Sequence, residues 1–214
     1  MKFKILNSFV FISILYASYL LILLSLPYIH FISDIDFLLT KQLLYHIKVW
    51  RVSFYVHVFS SSFIILAGLF QFNRFVIHQK KRLHKILGYI YIVLVIFISG
   101  PSAFVMSLYA NGGIPAQISF TLLSILWILT TVISFLSIRK GKIENHANWL
   151  LRSYALTLSA VTLRFYAYLF DVCNIPLHPI DTYIVLTWIS WIPNLLICEV
   201  LIRKGYIRSL LSST

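Results

Sequence analysis

Acidic side chains are scarce in this chain of 214 residues, which has six Asp and Glu residues against eighteen Lys and Arg residues. Transporters and hydrolases that move protons through carboxylates need acidic groups inside the protein. Most of the acidic residues here lie at the edges of apolar segments, so such a mechanism has few groups available. The six are Asp34, Asp36, Glu144, Asp171, Asp181 and Glu199.

Signatures of several familiar sites are also missing. The chain contains no HExxH metal site, no glycine-rich phosphate loop, no GxSxG elbow and no CxxCH haem attachment. Its two cysteines, Cys173 and Cys198, are expected near opposite membrane surfaces, so we expect no disulfide. These absences argue against zinc peptidases, phosphate-loop enzymes, serine hydrolases and c-type cytochromes, and they leave open whether the protein is an enzyme.

Long apolar runs dominate the sequence. The chain is 60% hydrophobic and 11% charged, with a mean hydropathy of +0.88. About 20 consecutive apolar residues cross a bilayer as one helix. The sequence therefore predicts an all-α, polytopic membrane protein, a six-helix bundle forming one domain over residues 1–214. The six runs are residues 5–27, 52–72, 86–109, 117–138, 149–170 and 182–202.

The basic residues are divided unequally between the two sides of this bundle. Thirteen fall in alternate connections, which predicts that those connections and both termini are cytoplasmic. The opposite side has only Lys41, Lys48 and Arg51. The net charge of +12 then reflects orientation and suits anionic lipid headgroups, and no exposed domain is left to bind nucleic acid. The thirteen are Lys2, Lys4, Arg74, Lys80, Lys81, Arg82, Lys85, Arg139, Lys140, Lys142, Arg203, Lys204 and Arg208.

Two irregular features are predicted. The first outer connection, residues 33–50, has an amphipathic pattern in which Leu43, Leu44 and Ile47 share one side, so we expect it to lie along the outer surface. In the third helix, Pro101 removes a backbone donor and should bend the span.

The fifth helix carries a polar stripe. Arg164 follows His146 by 18 residues, which is five full helical turns, so both project from one side. Ser153, Thr157 and Ala160 fall on or near the same line, and small residues allow another helix or a ligand to approach closely.

Three other helices carry related stripes, which together predict one polar-lined interior. His84 and His146 should lie at one level near the cytoplasmic side, and His57 and Arg164 at a second level near the outer side. The stripes comprise His57, Ser61, Ile64, Gly68 and Gln71; His84, Gly88, Tyr91, Val95 and Ser102; and Ser124, Trp127, Thr131 and Ser134.

The two inner histidines suggest a cofactor. Neutral imidazoles from two helices at one depth suit the bis-histidine ligation of haem b, and Gly88 would leave room for the macrocycle. The competing interpretation is that His84 and His146 are ordinary interfacial histidines beside Lys85 and Glu144.

Several roles are possible for the two outer residues, His57 and Arg164. His57 could be a second-site ligand, with Met106 as a weak axial partner, or could simply bond a neighbouring hydroxyl group. Arg164 could hold a haem propionate, a quinone oxygen or a substrate carboxylate. Alternatively it extends to the outer surface or pairs with Asp171, while Arg152 is expected to reach the inner boundary as an anchor.

These residues resemble the bacterial membrane proteins grouped as domain of unknown function 2306, over roughly residues 54–170. The resemblance implies a multi-pass protein of the bacterial inner membrane and supplies no activity. Two departures are Ala147 where the family has a basic residue and Leu150 where it has Met. The matching features are FYVH at His57, AGLFQF with Gly68 and Gln71, LHKILGYIY with His84, Gly88 and Tyr91, the Gly112–Gly113 turn, Trp127 to Thr131, and His146, Trp149, Arg152, Tyr154, Leu156, Thr157 and Arg164.

Three functional hypotheses remain. The first is a haem b electron-transfer protein, similar in ligand arrangement to cytochrome b561 proteins, with His84 and His146 as axial ligands and a membrane redox carrier or quinone as partner. The second is a transporter or lipid-binding protein that holds a small anionic ligand with His57 and Arg164. The third is a structural assembly protein whose polar stripes only pack helices.

Overall fold

The computed structural model describes residues 2–212, with side chains from residue 9 onward, so the side chains of Lys2 and Lys4 lie outside the described part. The described backbone is helical, with short connections. The α-helices are α1 (Lys2–Ser25), α2 (Asp36–Leu39), α3 (Lys48–Gln71), α4 (Arg74–Gln79), α5 (Lys81–Val93), α6 (Gly100–Ser107), α7 (Gly113–Arg139), α8 (Ile143–Thr157), α9 (Ser159–Val172), α10 (Pro179–Ile189), α11 (Ile192–Arg203) and α12 (Tyr206–Leu211).

Six helical segments within the described residues are long and apolar enough to cross a membrane, which confirms the predicted all-α, six-span architecture. Most of them extend beyond the apolar runs at one or both ends, because helices continue into residues such as Lys48 and Arg139 whose aliphatic stems can lie along the bilayer. The spans are Phe9–His30, Lys48–Gln71, Lys81–Ser107, Gly113–Arg139, Ile143–Val172 and Pro179–Arg203. We call the end that carries Lys41 the Lys41 end and the opposite end the basic end.

The centre of the bundle is held by a buried hydrogen-bond network. The Tyr91 hydroxyl lies 2.7 Å from Ser153 Oγ and 2.8 Å from Thr157 Oγ1. Trp127 Nε1 donates to Thr157 Oγ1 at 2.9 Å, while Thr131 Oγ1 contacts Ser153 Oγ and donates to the Trp127 carbonyl. Each hydroxyl proton can find an acceptor in this circuit, so the third, fourth and fifth spans are joined without an unsatisfied group.

Gly68 lets the second span approach this network. A Cβ at position 68 would lie 2.9 Å from Tyr91 Cε2 and would overlap the ring of Tyr154. The Tyr154 hydroxyl donates to the Ile65 carbonyl at 3.2 Å, so the ring is fixed against the second span. The four polar stripes therefore meet inside the bundle, as the helical spacing predicted.

Three spans are interrupted near the middle of the bundle. The third contains a π-helical segment, Leu94–Ser99, directly before Gly100 and Pro101, where the missing proline N–H disturbs the regular ladder. The fifth is interrupted at Leu158, and the sixth breaks at Ser190 before α11 begins. Interrupted backbone at membrane depth is tolerated where protein groups or a cavity satisfy it.

The segment between the first two spans differs from its prediction. Instead of one amphipathic helix lying along the surface, it forms the short helix α2, a 3₁₀ turn at Gln42–Leu44 and irregular backbone. Leu38 is fully buried, Lys41 is only 2% exposed, and Leu43 is 88% exposed. The prediction of one surface helix was wrong because the chain turns inward at Leu38 and Lys41, while Leu44 and Ile47 pack against the bundle and Leu43 alone of its predicted side is left exposed.

Arg152 is also placed differently from its prediction. Its Nε and Nη2 donate to the two carboxylate oxygens of Glu199 at 2.6 and 2.9 Å, which joins the fifth and sixth spans. Its guanidinium also lies 4.5 Å from the centre of the Trp149 ring. A paired arginine fixed in this way is an interhelical contact, so the expected anchoring role is wrong.

Replacing Tyr91 with Phe should destabilise the bundle by about 1–2 kcal/mol, because Ser153 and Thr157 would lose a buried partner. Thermal unfolding of the purified protein measures the effect. Tyr89→Phe is the matched control, since Tyr89 is 57% exposed on the same helix and should change little. Equal stability of the two variants would contradict the role given to the network.

Candidate functional site

A cavity of about 540 Å³ lies toward the Lys41 end of the bundle. Most of its wall area is apolar, and charged and hydrogen-bonding groups interrupt it, a combination found in small-molecule sites. Residues from all six spans and from the segment before the second span contribute to it. The charged and hydrogen-bonding lining residues are Ser25, Tyr28, Asp36, Lys41, Trp50, His57, Ser61, Ser62, Ser107, Ser124, Trp127, Thr157, Ser159, Arg164, Tyr183 and Ser190.

Lys41 is the most buried charged group of this cavity. Its Nζ donates to the Tyr109 carbonyl and to Asn111 Oδ1, both at 2.6 Å, while Asn111 Nδ2 donates to Thr40 Oγ1. Both acceptors are neutral, and neither of the ion pairs found among residues 9–212 involves Lys41. Removal from water lowers the pKa of Lys41 to about 8, because burial disfavours the charged ammonium.

Arg164 supplies the second cation. Its side chain is exposed on the surface of the chain and also lines the cavity, and Nη1 donates to the Ala160 carbonyl at 2.8 Å. Tyr28 lies close enough to interact with it electrostatically. The alternative pairing with Asp171 is not among the ion pairs of residues 9–212, so most guanidinium donors remain available.

His57 lines the same cavity and is oriented by the π-helical segment of the third span. Its Nδ1 lies 3.2 Å from the Ser99 carbonyl oxygen and 3.0 Å from Ser99 Oγ. The Trp127 ring meets the imidazole edge-on, with centroids 6.5 Å apart. A proton on Nδ1, donated to the carbonyl, leaves Nε2 as an acceptor for a neighbouring group.

The interrupted fifth and sixth spans form another part of the wall. Ser159, Ala160 and Ser190 line the cavity at the two breaks. Asn194 Nδ2 donates to the Ser190 carbonyl at 3.1 Å and to the Ala155 carbonyl at 3.2 Å, so the freed backbone oxygens keep partners. Broken membrane helices that line a cavity are a recurring feature of ligand sites.

The structure thus brings His57 and Arg164 together, as the stripe pattern predicted, and adds Lys41, which the sequence analysis had placed on the surface. Asp36 is also part of the lining, but its side chain lies at the exposed edge. The sequence feature that could have pointed to Lys41 is that it is one of three basic residues on the less basic side of the membrane. The signal is weak because position alone does not show which way a side chain points.

The inner histidines lie at the basic end, away from this cavity. His84 and His146 are close enough to interact electrostatically. His146 Nδ1 lies 3.0 Å from the Ser134 carbonyl oxygen. A hydrogen bond at Nδ1 leaves Nε2, on the other side of the ring, as the nitrogen that could bind a metal. The Nδ1 atom of His84 is buried and has no hydrogen-bond partner within residues 9–212.

Haem b fits this pair in its donor atoms but not in the available space. Imidazole nitrogens from two helices and a carbonyl behind His146 are the expected ligand chemistry. The space beside Gly88, however, contains the amide of Gln71, whose Oε1 would lie 3.2 Å from a Cβ at position 88. Gln71 Nε2 also donates to the His84 carbonyl at 3.3 Å, so Gln71 would have to move to admit a macrocycle.

A family model described as predicted membrane protein (DUF2306) matches residues 54–202. The chain belongs to this family. The match covers His57, His84, His146 and Arg164 and extends through the sixth span, whereas Lys41 lies before it. No curated protein and no solved structure matches the chain. The protein is therefore a multi-pass DUF2306 membrane protein, and the family supplies no activity.

The lowered pKa of Lys41 predicts a pH dependence of stability. Between about pH 8 and 10.5 the unfolded state binds more protons than the folded state, so the free energy of unfolding should rise with pH, by at most roughly 3 kcal/mol. Below pH 8 the burial penalty is fully present. Chemical unfolding at several pH values, with Lys41→Met as the control for other titrating groups, measures the difference; parallel curves for both proteins would contradict it.

Proposed function

We propose that this protein binds an amphipathic anion in the cavity at the Lys41 end. The observation that carries the proposal is the buried ammonium of Lys41, a residue that lines a largely apolar cavity and whose acceptors among residues 9–212 are both neutral. A buried charge without a counter-ion is costly, so an anionic ligand would stabilise it.

Arg164 supports the same proposal from another wall of the cavity. A guanidinium bonded at one position to the Ala160 carbonyl retains donors for a carboxylate or phosphate oxygen. His57, fixed at Nδ1 by Ser99, would use Nε2 to accept a hydrogen bond or, when protonated, to donate one. The apolar walls would hold the non-polar part of the ligand.

The expected location of the site follows from the charge distribution. The basic end is cytoplasmic by the positive-inside rule, so the cavity would open in the outer half of a bacterial inner membrane. Binding there suits a transporter or lipid-binding protein, and the lipid bilayer is its immediate partner.

Ligand-dependent thermal stabilisation tests the proposal. Dodecanoate and dodecyl phosphate below their micelle-forming concentrations should raise the unfolding temperature of the wild-type protein, because a ligand that binds only the folded state stabilises it. Lys41→Met and Arg164→Ala should each weaken binding by about tenfold. Arg51→Ala is the control, since Arg51 lies on the same side outside this cavity.

Stabilisation that is unchanged in both cavity variants would contradict the proposal. No stabilisation by any anion would favour the remaining hypothesis, in which the polar stripes only pack the helices of an assembly protein.

A second candidate, which requires the Gln71 amide to move away from Gly88, is haem b between His84 and His146; it is favoured by the Nδ1 of His84, unpartnered within residues 9–212, and by the orientation of His146. Bound haem would provide one-electron chemistry, with a quinone or another membrane redox carrier as partner. His84 and His146 would orient the haem. Arg164 would not contact it, because Arg164 lines the cavity at the Lys41 end of the bundle.

Absorption spectra of protein purified from haem-replete cells test this candidate. Haem predicts a Soret band that shifts on reduction and is lost in folded His84→Ala and His146→Ala variants. His178→Ala is the matched control, because His178 is exposed in the connection before the sixth span. A colourless, folded wild-type protein would contradict the candidate.

A further inference from the structure

We propose that the ligand is a single-chain lipid amphiphile with an anionic head, which enters the cavity sideways from the bilayer between the first and fifth spans. This inference rests on the proposed anion-binding function and names its ligand class and its route. It follows from the extent and volume of the cavity, from where its lining reaches the surface and from the exposed charged residues of that lining.

The cavity follows the second span over several helical turns. Along the second span, lining residues occur on one face from Trp50 to Ile65, a separation of 15 residues or about 22 Å. A volume of about 540 Å³ lies in the range of sites that hold one small molecule, so the cavity suits one hydrocarbon chain rather than the two chains and larger head group of a phospholipid.

The length also agrees with one lipid chain. Half of a bilayer hydrocarbon core is about 15 Å thick, so a chain of that length and its head group fit within about 22 Å. The deep wall of the cavity contains Ile65, Leu123 and Leu156, which suit the chain. Lys41 and Arg164 lie toward the other end, where the head group would be.

The cavity reaches the lipid-facing surface beside the first span. Leu24 lines the cavity and is nevertheless 55% exposed, and Arg164 is likewise both exposed and part of the lining. The first span is the most peripheral of the six described, with only 11% of its apolar window buried. One loosely covered helix therefore separates much of this wall from lipid.

The opposite approach, from water, is less favourable for an anion. The short segment that contributes Asp36, Phe37 and Lys41 to the lining is held in place by the bonds from Lys41 to the Tyr109 carbonyl and to Asn111. Asp36 lies on this side with an exposed carboxylate that repels incoming anions. Arg164, in the fifth span, is the exposed cation of the lining and would attract a head group that enters beside it.

Quenching of tryptophan fluorescence by brominated palmitate tests the ligand class, because Trp50 and Trp127 line the cavity. In nanodiscs, quenching that persists in a Lys41→Met, Arg164→Ala double variant is bilayer background and is subtracted. The saturable part should be displaced by palmitate, and displacement by hexanoate or by hexadecanol should be at least about tenfold weaker, since each lacks one half of the recognition.

Entry is tested with a matched pair of variants. Leu24→Phe narrows the proposed opening, whereas Leu23→Phe adds the same bulk at an exposed position outside the lining. Leu24→Phe should slow the association of brominated palmitate by about fivefold or more relative to the wild-type protein. Leu23→Phe should associate at the wild-type rate. The comparison of the two Leu→Phe variants and the competition by palmitate, hexanoate and hexadecanol do not need the double variant, so both remain valid if it fails to fold.

The outcomes separate the two proposals. If hexanoate displaces brominated palmitate as well as palmitate does, the lipid ligand class is wrong while the anion-binding function stands. If Leu24→Phe and Leu23→Phe associate at equal rates, the lateral route is wrong. If no anion of either kind gives saturable binding, the proposed function itself fails.

Discussion

The ammonium group of Lys41 imposes the constraint on which this account of the protein depends. A lysine that is 2% exposed and, within the described part of the chain, bonded to the neutral Tyr109 carbonyl and Asn111 side chain must either lose its charge or find an anion. Through these two bonds, Lys41 holds the segment after the first span against the connection between the third and fourth spans. The same contact therefore fixes this segment beside the cavity and places a cation in its lining.

The interior below Lys41 is organised by hydrogen bonds rather than by ion pairs. The circuit around Tyr91 satisfies its hydroxyls completely, which makes the centre of the bundle rigid. The interrupted third, fifth and sixth spans lie around the cavity and expose backbone that Asn194 and His57 satisfy. A rigid centre with irregular helices on one side places a ligand site in one half of the membrane, while the inner histidines occupy the other.

Helical periodicity predicted much of this arrangement. Six spans, the meeting of the polar stripes and the common cavity of His57 and Arg164 all follow from spacing, because apolar length and a 3.6-residue repeat are local properties. The direction of Lys41 did not follow, since it depends on a contact with Asn111, seventy residues away in the sequence. For the same reason neither the Glu199 partner of Arg152 nor the Gln71 amide beside Gly88 could be deduced from single helices.

The buried position of Lys41 is tested most directly by its rate of acetylation with a water-soluble amine reagent, compared with that of the exposed Lys48 in the same protein. The lowered pKa of Lys41 would by itself speed this reaction, so protection can only come from burial. Mass spectrometry of the native protein in nanodiscs should show Lys41 reacting at least about tenfold more slowly than Lys48, with the difference lost on unfolding. Equal rates in the native protein would place Lys41 in water and contradict the account.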